Sequence, residues 1–182
     1  NSDGPGFLRS VEESFGRPAR DLRVLVLGAG GGGGRAVAVQ CALENCLRLI
    51  LVNRTADRME PLAAECRRLA PTTRVEVCHW DDTALRQVMG GIDLIVNATP
   101  LGMKDGDPPL LDASLLHASH LVFDMVYRSG AETPLIGAAK AAGAAAAGGL
   151  VLLLHQGAIS FAHWFGEPVP LEAMRAGLNA AV

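Results

Sequence analysis

The 182-residue sequence predicts an α/β protein, a doubly wound parallel sheet, on three observations. Nearly all-apolar runs recur along the chain, as strands covered on both faces require. Helical stretches separate them, and parallel strands need such crossovers. A glycine-rich turn directly follows the first apolar run and opens a helix.

The elements follow in order. Residues 7–15 read as a short amphipathic helix closed by Gly16-Arg17-Pro18. Residues 22–27 are the first strand, 28–34 the glycine turn and 35–46 the next helix. Residues 48–52 form a second buried strand. Residues 56–69 form a helix with Met59, Leu62, Ala63 and Cys66 at helical spacing. Residues 74–78 alternate as a third strand, and 83–89 are a short helix. The fourth strand, 92–96, ends at Asn97-Ala98-Thr99-Pro100. Residues 121–124 are the fifth strand, 134–142 a helix and 144–147 a sixth strand. A long helix at 150–165 and a last one at 171–178 close the chain.

Composition narrows the function. Hydrophobic residues at 49% and charged residues at 19% exclude a disordered chain. A net charge of −3 argues against nucleic-acid or anionic-membrane partners, which need a dense basic field. The uncharged stretch 141–166 is broken by Gly148-Gly149. Its helical part is shorter than the ~20 residues of a membrane span. Cys41, Cys46, Cys66 and Cys78 form no C-x-x-C pair. They read as small apolar core residues of a reducing, cytoplasmic compartment. His79 and His117 have no partner at metal spacing, so no metal is expected. Lys104 and Lys140 are the only lysines, and both read as solvated.

The glycine turn carries the chemistry. Gly28, Gly30 and Gly33 satisfy G-x-G-x-x-G within the run Gly28, Ala29, Gly30, Gly31, Gly32, Gly33, Gly34. The first glycine permits the tight turn and the second lets backbone approach a pyrophosphate. The third lets helix and strand pack closely, with the helix N-terminus facing the phosphates. In strand–turn–helix context this is a Rossmann-like dinucleotide site. An NAD site wants a carboxylate at the tip of the second strand; the tip here is Asn53-Arg54-Thr55, followed by Arg58. Two guanidinium groups and a hydroxyl suit a 2′-phosphate, so NADP is expected over NAD. Asp57 is expected to support the following helix start, with Thr55 as its cap. Asn97, Ala98, Thr99 and Pro100 sit at a strand's carboxyl end, where open α/β sheets bind ligands.

Six segments in register resemble the shikimate dehydrogenase family. They are Asn1-Ser2-Asp3-Gly4-x-Gly6-Phe7, the glycine loop from Val26, Asn53-Arg54-Thr55, and Asn97 through Met103. The last two are Asp124-Met125-Val126-Tyr127 with Thr133-Pro134-Leu135, and Gly149-Leu150 with Gln156-Gly157-Ala158. Two departures stand out. The glycine loop is one residue longer before Arg35-Ala36, and no position matches the family's catalytic lysine.

The resemblance implies reversible reduction of 3-dehydroshikimate to shikimate by NADPH. Asp3 would be catalytic and bind substrate beside a lysine from a domain this chain lacks. Gln156 and Tyr127 would contact substrate, Met125 and Val126 would pack near the nicotinamide, and Gly149 would offer its carbonyl to the carboxamide. The expected organisation is 1–20 as a linking helix, 21–149 as the cofactor domain and 150–182 as closing helices. Alternatives are a quinate/shikimate dehydrogenase paralogue and a non-catalytic NADP-binding module. The chain opens at Asn1 and is expected to be a piece of a longer protein. It is also expected to self-associate through the face a missing domain would cover.

Overall fold

A computed structural model describes residues 1–181. Six strands form one wholly parallel sheet: β1 (Arg23–Leu27), β2 (Arg48–Asn53), β3 (Arg74–His79), β4 (Leu94–Asn97), β5 (Leu121–Asp124) and β6 (Ala145–Ala147). Their spatial order is β3-β2-β1-β4-β5-β6. The order reverses between β1 and β4, the position at which such sheets open a ligand crevice.

The sheet is covered on both faces. Side chains alternate across a strand, so each strand feeds two cores. Val24 and Val26 of β1 enter the first core; Leu25 and Leu27 enter the second. The first core takes Phe7 and Val11 from α1 (Asp3–Phe15), Val37 and Cys41 from α2 (Gly32–Leu43), and Cys66 from α3 (Glu60–Leu69). It also takes Leu152 from α6 (Gly149–Phe165), and the Phe7 ring meets Phe123 edge-on at 5.3 Å. The second core takes Leu85 and Met89 from α4 (Asp82–Met89), and Leu135 and Ala139 from α5 (Pro134–Ala141). Helix α7 (Leu171–Ala180) lies against α6 and buries no residue fully. All four cysteines are buried and free. Among the described residues no helix is long and apolar enough to cross a membrane.

The predicted elements are all present, with shifted ends. Helix α1 begins at Asp3, not at residue 7. Gly4 and Gly6 argue against helix by propensity, but each lets the helix approach a neighbour. A Cβ on Gly4 would lie 2.8 Å from the Gln40 side chain, and one on Gly6 would lie 3.0 Å from Gln156 Cγ. Helix α2 begins at Gly32 rather than 35, so three glycines form its first turn. Residues 56–59 are a 3-10 turn, and α3 starts at Glu60 with Pro61 in its first turn. Strand β4 starts at Leu94, because Gly91 and Ile92 bond back to Val88 and Met89 to close α4.

Candidate functional site

A crevice of about 500 Å³ opens at the carboxyl ends of β1, β2 and β4. Its walls include Gly28, Gly31, Asn53, Arg54, Thr99 and Pro100. Gly28 has φ +83°, and a Cβ there would lie 2.4 Å from Thr99 Cγ2. Only glycine fits that turn. A Cβ on Gly30 would meet Asn53 Nδ2 and Met59 Cε, each at 3.0 Å. The close-packing glycine is Gly34 rather than Gly33: its Cβ would fall 2.3 Å from the Gly28 carbonyl oxygen. Gly33 meets only Met125 Cε, at 3.1 Å, and Gly32 meets nothing within 4 Å. The longer loop therefore shifts the third glycine by one position. Ala29 is fully buried behind the turn. Gly31, at the N-cap of α2, leaves the helix without a side-chain cap. Backbone N–H groups at such an end suit an anion.

Cations flank that end. Arg54, Thr55 and Arg58 are exposed at the tip of β2. Among the described residues, neither arginine makes an ion pair or side-chain hydrogen bond. Thr55 occupies the N-cap position of the 3-10 turn, but its hydroxyl makes no capping bond. The capping expectation for Thr55 fails on that point. Among the described residues, the hydroxyl stays free close in sequence to two unpaired guanidinium groups.

The β4 side is organised oppositely. Asn97 is fully buried. Its Nδ2 donates to Asp124 Oδ1 at 2.8 Å and to the Leu101 carbonyl at 3.1 Å. Its Oδ1 accepts from the Thr99 N–H at 2.9 Å and the Thr99 hydroxyl at 2.7 Å. Asn97 therefore shapes the Ala98–Thr99–Pro100 loop and offers no free side-chain atom. Asp124 is also fully buried, and burial pushes its carboxyl above the usual carboxylate range against the three donors that hold it.

A second cavity, of about 330 Å³, is lined by Val126, Tyr127, Thr133, Gly149 and Val151. Tyr127 is 47% exposed. The Gly149 N–H donates to the Val126 carbonyl at 3.1 Å, and a Cβ on Gly149 would lie 2.2 Å from the Met125 carbonyl oxygen. Met125 thus touches the glycine loop through its Cε and α6 through its backbone.

The first turn of α1 meets the middle of α6. Gln156 Nε2 donates to Asp3 Oδ1 at 2.5 Å, joining the two polar residues singled out at opposite ends of the sequence. Asp3 is a helix-start residue rather than part of an isolated turn. A lock further along fixes this seam. His155 Nε2 lies 2.8 Å from Glu13 Oε2, and Arg175 of α7 donates to both Glu13 oxygens at 2.8 and 3.0 Å. The bond from Arg175 and that from His155 hold the Glu13 carboxyl below its ordinary range despite burial. Tyr127 and Asp3 line no common cavity among those around the site. Lys140 is paired with Glu132, and Lys104 is exposed in the loop after β4.

Several wall residues escape the sequence reading. Trp80, Pro108, Pro109 and Leu110 also line the 500 Å³ crevice. The Trp80 Nε1–H donates to the Leu110 carbonyl at 3.2 Å, which pins the loop to β3. Its position one residue past β3 is the available signal, by the same carboxyl-end rule that singled out Asn97. Asp124 and Thr133 stand in the resembling segments, but their bonding is visible only in three dimensions.

Comparison with known proteins agrees with this arrangement. The family model for the shikimate 5′-dehydrogenase C-terminal domain matches residues 149–176. The chain is 40% identical to the NADP(+) shikimate dehydrogenase of Symbiobacterium thermophilum, covering 100% of this chain and 62% of that protein. The Thermus thermophilus shikimate 5-dehydrogenase, solved with NADP(H) and shikimate, superposes with a TM-score of 0.81 at 32% identity. That match covers 100% of this chain and 63% of the other. The Corynebacterium glutamicum quinate dehydrogenase, solved with NAD, gives a TM-score of 0.84 at 30% identity, covering 100% of this chain and 62% of that one. The chain thus spans less than two thirds of the length of these relatives. By sequence and fold together, over the length it spans, the chain is similar to NADP(+) shikimate dehydrogenases and to a quinate dehydrogenase.

Proposed function

We propose that this chain is the NADP-binding part of a cytoplasmic oxidoreductase that reversibly reduces 3-dehydroshikimate to shikimate. The observation that carries the reading is Arg54, unpartnered among the described residues and lining a glycine-floored crevice at the sheet's switch point, with Arg58 in the turn that follows. The cradle fits the cofactor: side chains at Gly28 or Gly34 would drive into Thr99 or the Gly28 carbonyl, and the α2 end carries no side-chain cap. Gly28, Gly30, Gly31, Gly32 and Gly33 would hold the pyrophosphate. Asn53, Arg54, Thr55 and Arg58 would hold the adenosine ribose and its 2′-phosphate, charge-assisted contacts of about 1.5–3 kcal/mol each. Ala98, Thr99 and Pro100 would wall the crevice, and Asn97 would set their path. Met125, Val126 and Gly149 would frame the nicotinamide.

The bound cofactor supplies the hydride. The chain's own residues bind and orient the substrate around it. The Asp3 carboxylate would accept from a substrate hydroxyl while the Gln156 amide holds it in place, leaving the Gln156 carbonyl to accept from a second. Tyr127 would offer its hydroxyl to the substrate from the neighbouring cavity. The proton would need a positioned acid. Neither Lys104 nor Lys140 is bonded to Asp3, so that acid would come from a part of the enzyme outside this chain. Residues 1–20 would link to that part, 21–149 would be the cofactor domain and 150–182 would close the cleft. The isolated chain would bind NADP without turnover. It would also associate with itself through the apolar end of α6, where Trp164 and Phe165 are 72% and 73% exposed.

The likeness to the C. glutamicum quinate dehydrogenase favours one second reading, a paralogue acting on quinate as well. A single assay series separates the possibilities. NADP-dependent oxidation of shikimate and of quinate is followed with the chain alone and with the full product of its gene. Activity on shikimate in the full product alone is expected. Activity of the chain alone would contradict the missing-acid assignment, and quinate as the better substrate would select the second reading.

A further inference from the structure

Asp124 ends β5, fully buried, with each oxygen bonded. Oδ1 accepts from Asn97 Nδ2 at 2.8 Å and from the Val126 N–H at 3.0 Å, and Oδ2 accepts from the Thr133 hydroxyl at 2.5 Å. Thr133 is itself the N-cap of α5, accepting from the Ile136 N–H. Asn97 carries the network onward to Thr99 and Leu101. One continuous chain of bonds therefore runs between two cavities. Thr99 and Leu101 line the 500 Å³ crevice; Val126 and Thr133 line the 330 Å³ cavity.

We infer that Asp124 is a positioning residue that fixes the Val126–Tyr127 side of the site relative to the Thr99 side, so that a dinucleotide reaches both. The inference rests on the NADP reading above. It assigns Asp124 no contact with the ligand. A buried carboxylate costs desolvation, and what it returns here is one fixed geometry for the β4 tip, the segment after β5 and the start of α5. Geometry, not charge, is what the network needs. An asparagine would keep an oxygen for Asn97 and Val126, while its NH2 group would donate to the Thr133 hydroxyl, which also accepts.

Calorimetric titration of the purified chain with NADP and with adenosine 2′,5′-bisphosphate tests this, because the bisphosphate lacks the nicotinamide half. Asp124→Ala is expected to weaken NADP about tenfold or more, a difference of ~1.4 kcal/mol, and to leave the bisphosphate within about twofold. Asp124→Asn is expected to stay near the unsubstituted chain for both ligands. Should the alanine chain fail to fold by circular dichroism, Thr133→Val removes the bond to Asp124 along with the α5 cap and is expected to give the same selective loss in smaller measure. Equal loss of both ligands, unchanged NADP affinity, or an asparagine chain as weak as the alanine one would each overturn the inference. An unsubstituted chain that binds neither ligand would instead overturn the cofactor reading and take this inference with it.

Discussion

Just past β2, among the described residues, Arg54 and Arg58 make no ion pair and Thr55 makes no capping bond. Two and three strands away, at the tips of β4 and β5, Asn97 and Asp124 are fully buried and every side-chain polar atom is bonded within the protein. Both ends carry polar residues in segments resembling one family, yet one end leaves its groups for a ligand and the other uses them on itself. A polar residue in a motif is thus a binding residue or a scaffold depending on whether its partners are already present. The proposed cofactor would lie across both.

The comparison makes its largest prediction at the self-bonded end. Asn97→Ala would remove one of the three donors to buried Asp124 and take the acceptor from the Thr99 N–H and hydroxyl, and is expected to cost about 2–4 kcal/mol of stability in chemical denaturation. A loss below about 0.5 kcal/mol would mean the network is incidental. At the open end the effect moves from stability to binding. Arg54→Ala is expected to cost about 1.5–3 kcal/mol of NADP affinity, with NAD affinity and folding stability almost unchanged. Equal losses for NADP and NAD would break the distinction between the two ends.

The glycine loop between them sharpens it. Gly34→Ala places a Cβ 2.3 Å from the Gly28 carbonyl and is expected to destabilise by about 1–3 kcal/mol. Gly32→Ala meets nothing within 4 Å at the start of α2 and is expected to stabilise by about 0.5–1 kcal/mol. Thermal melts of the two variants should move in opposite directions. The smallest effect concerns the seam that holds Asp3. The Glu13 carboxyl is held below its usual value, chiefly by Arg175. A depressed carboxyl gives stability that is present above its unfolded value of about 4.5 and is lost as pH falls through the folded value. The melting temperature should therefore fall on acidification below that point, and Glu13→Gln should shallow the fall. An identical profile in both chains would remove the lock from the account.

Much of this was legible beforehand because strands and helices write their period into the sequence. The alternating cores of β1 and the strand–turn–helix glycine run follow directly from it. The residues that stayed hidden share a physical cause. Five successive glycines from 30 to 34 look alike in sequence, and only the 2.3 Å approach at Gly34 identifies the close-packing one. Gly4 and Gly6 read against helix, whereas contact with Gln40 and Gln156 overrides local propensity. Thr55 stands where a cap should be and makes no capping bond. Trp80 and Pro109 reach the crevice from β3 and from a loop, a meeting no local pattern encodes.

Titration of the unsubstituted chain with NADP and with NAD at one fixed ionic strength tests the central claim most directly. Trp80 lines the crevice and supplies a fluorescence signal beside the calorimetric one. The account predicts that NADP binds at least about tenfold more tightly, the contribution of one charge-assisted phosphate contact, and that Trp80 emission changes as it does. Equal affinity for the two dinucleotides, or binding that leaves Trp80 unaltered, would contradict it.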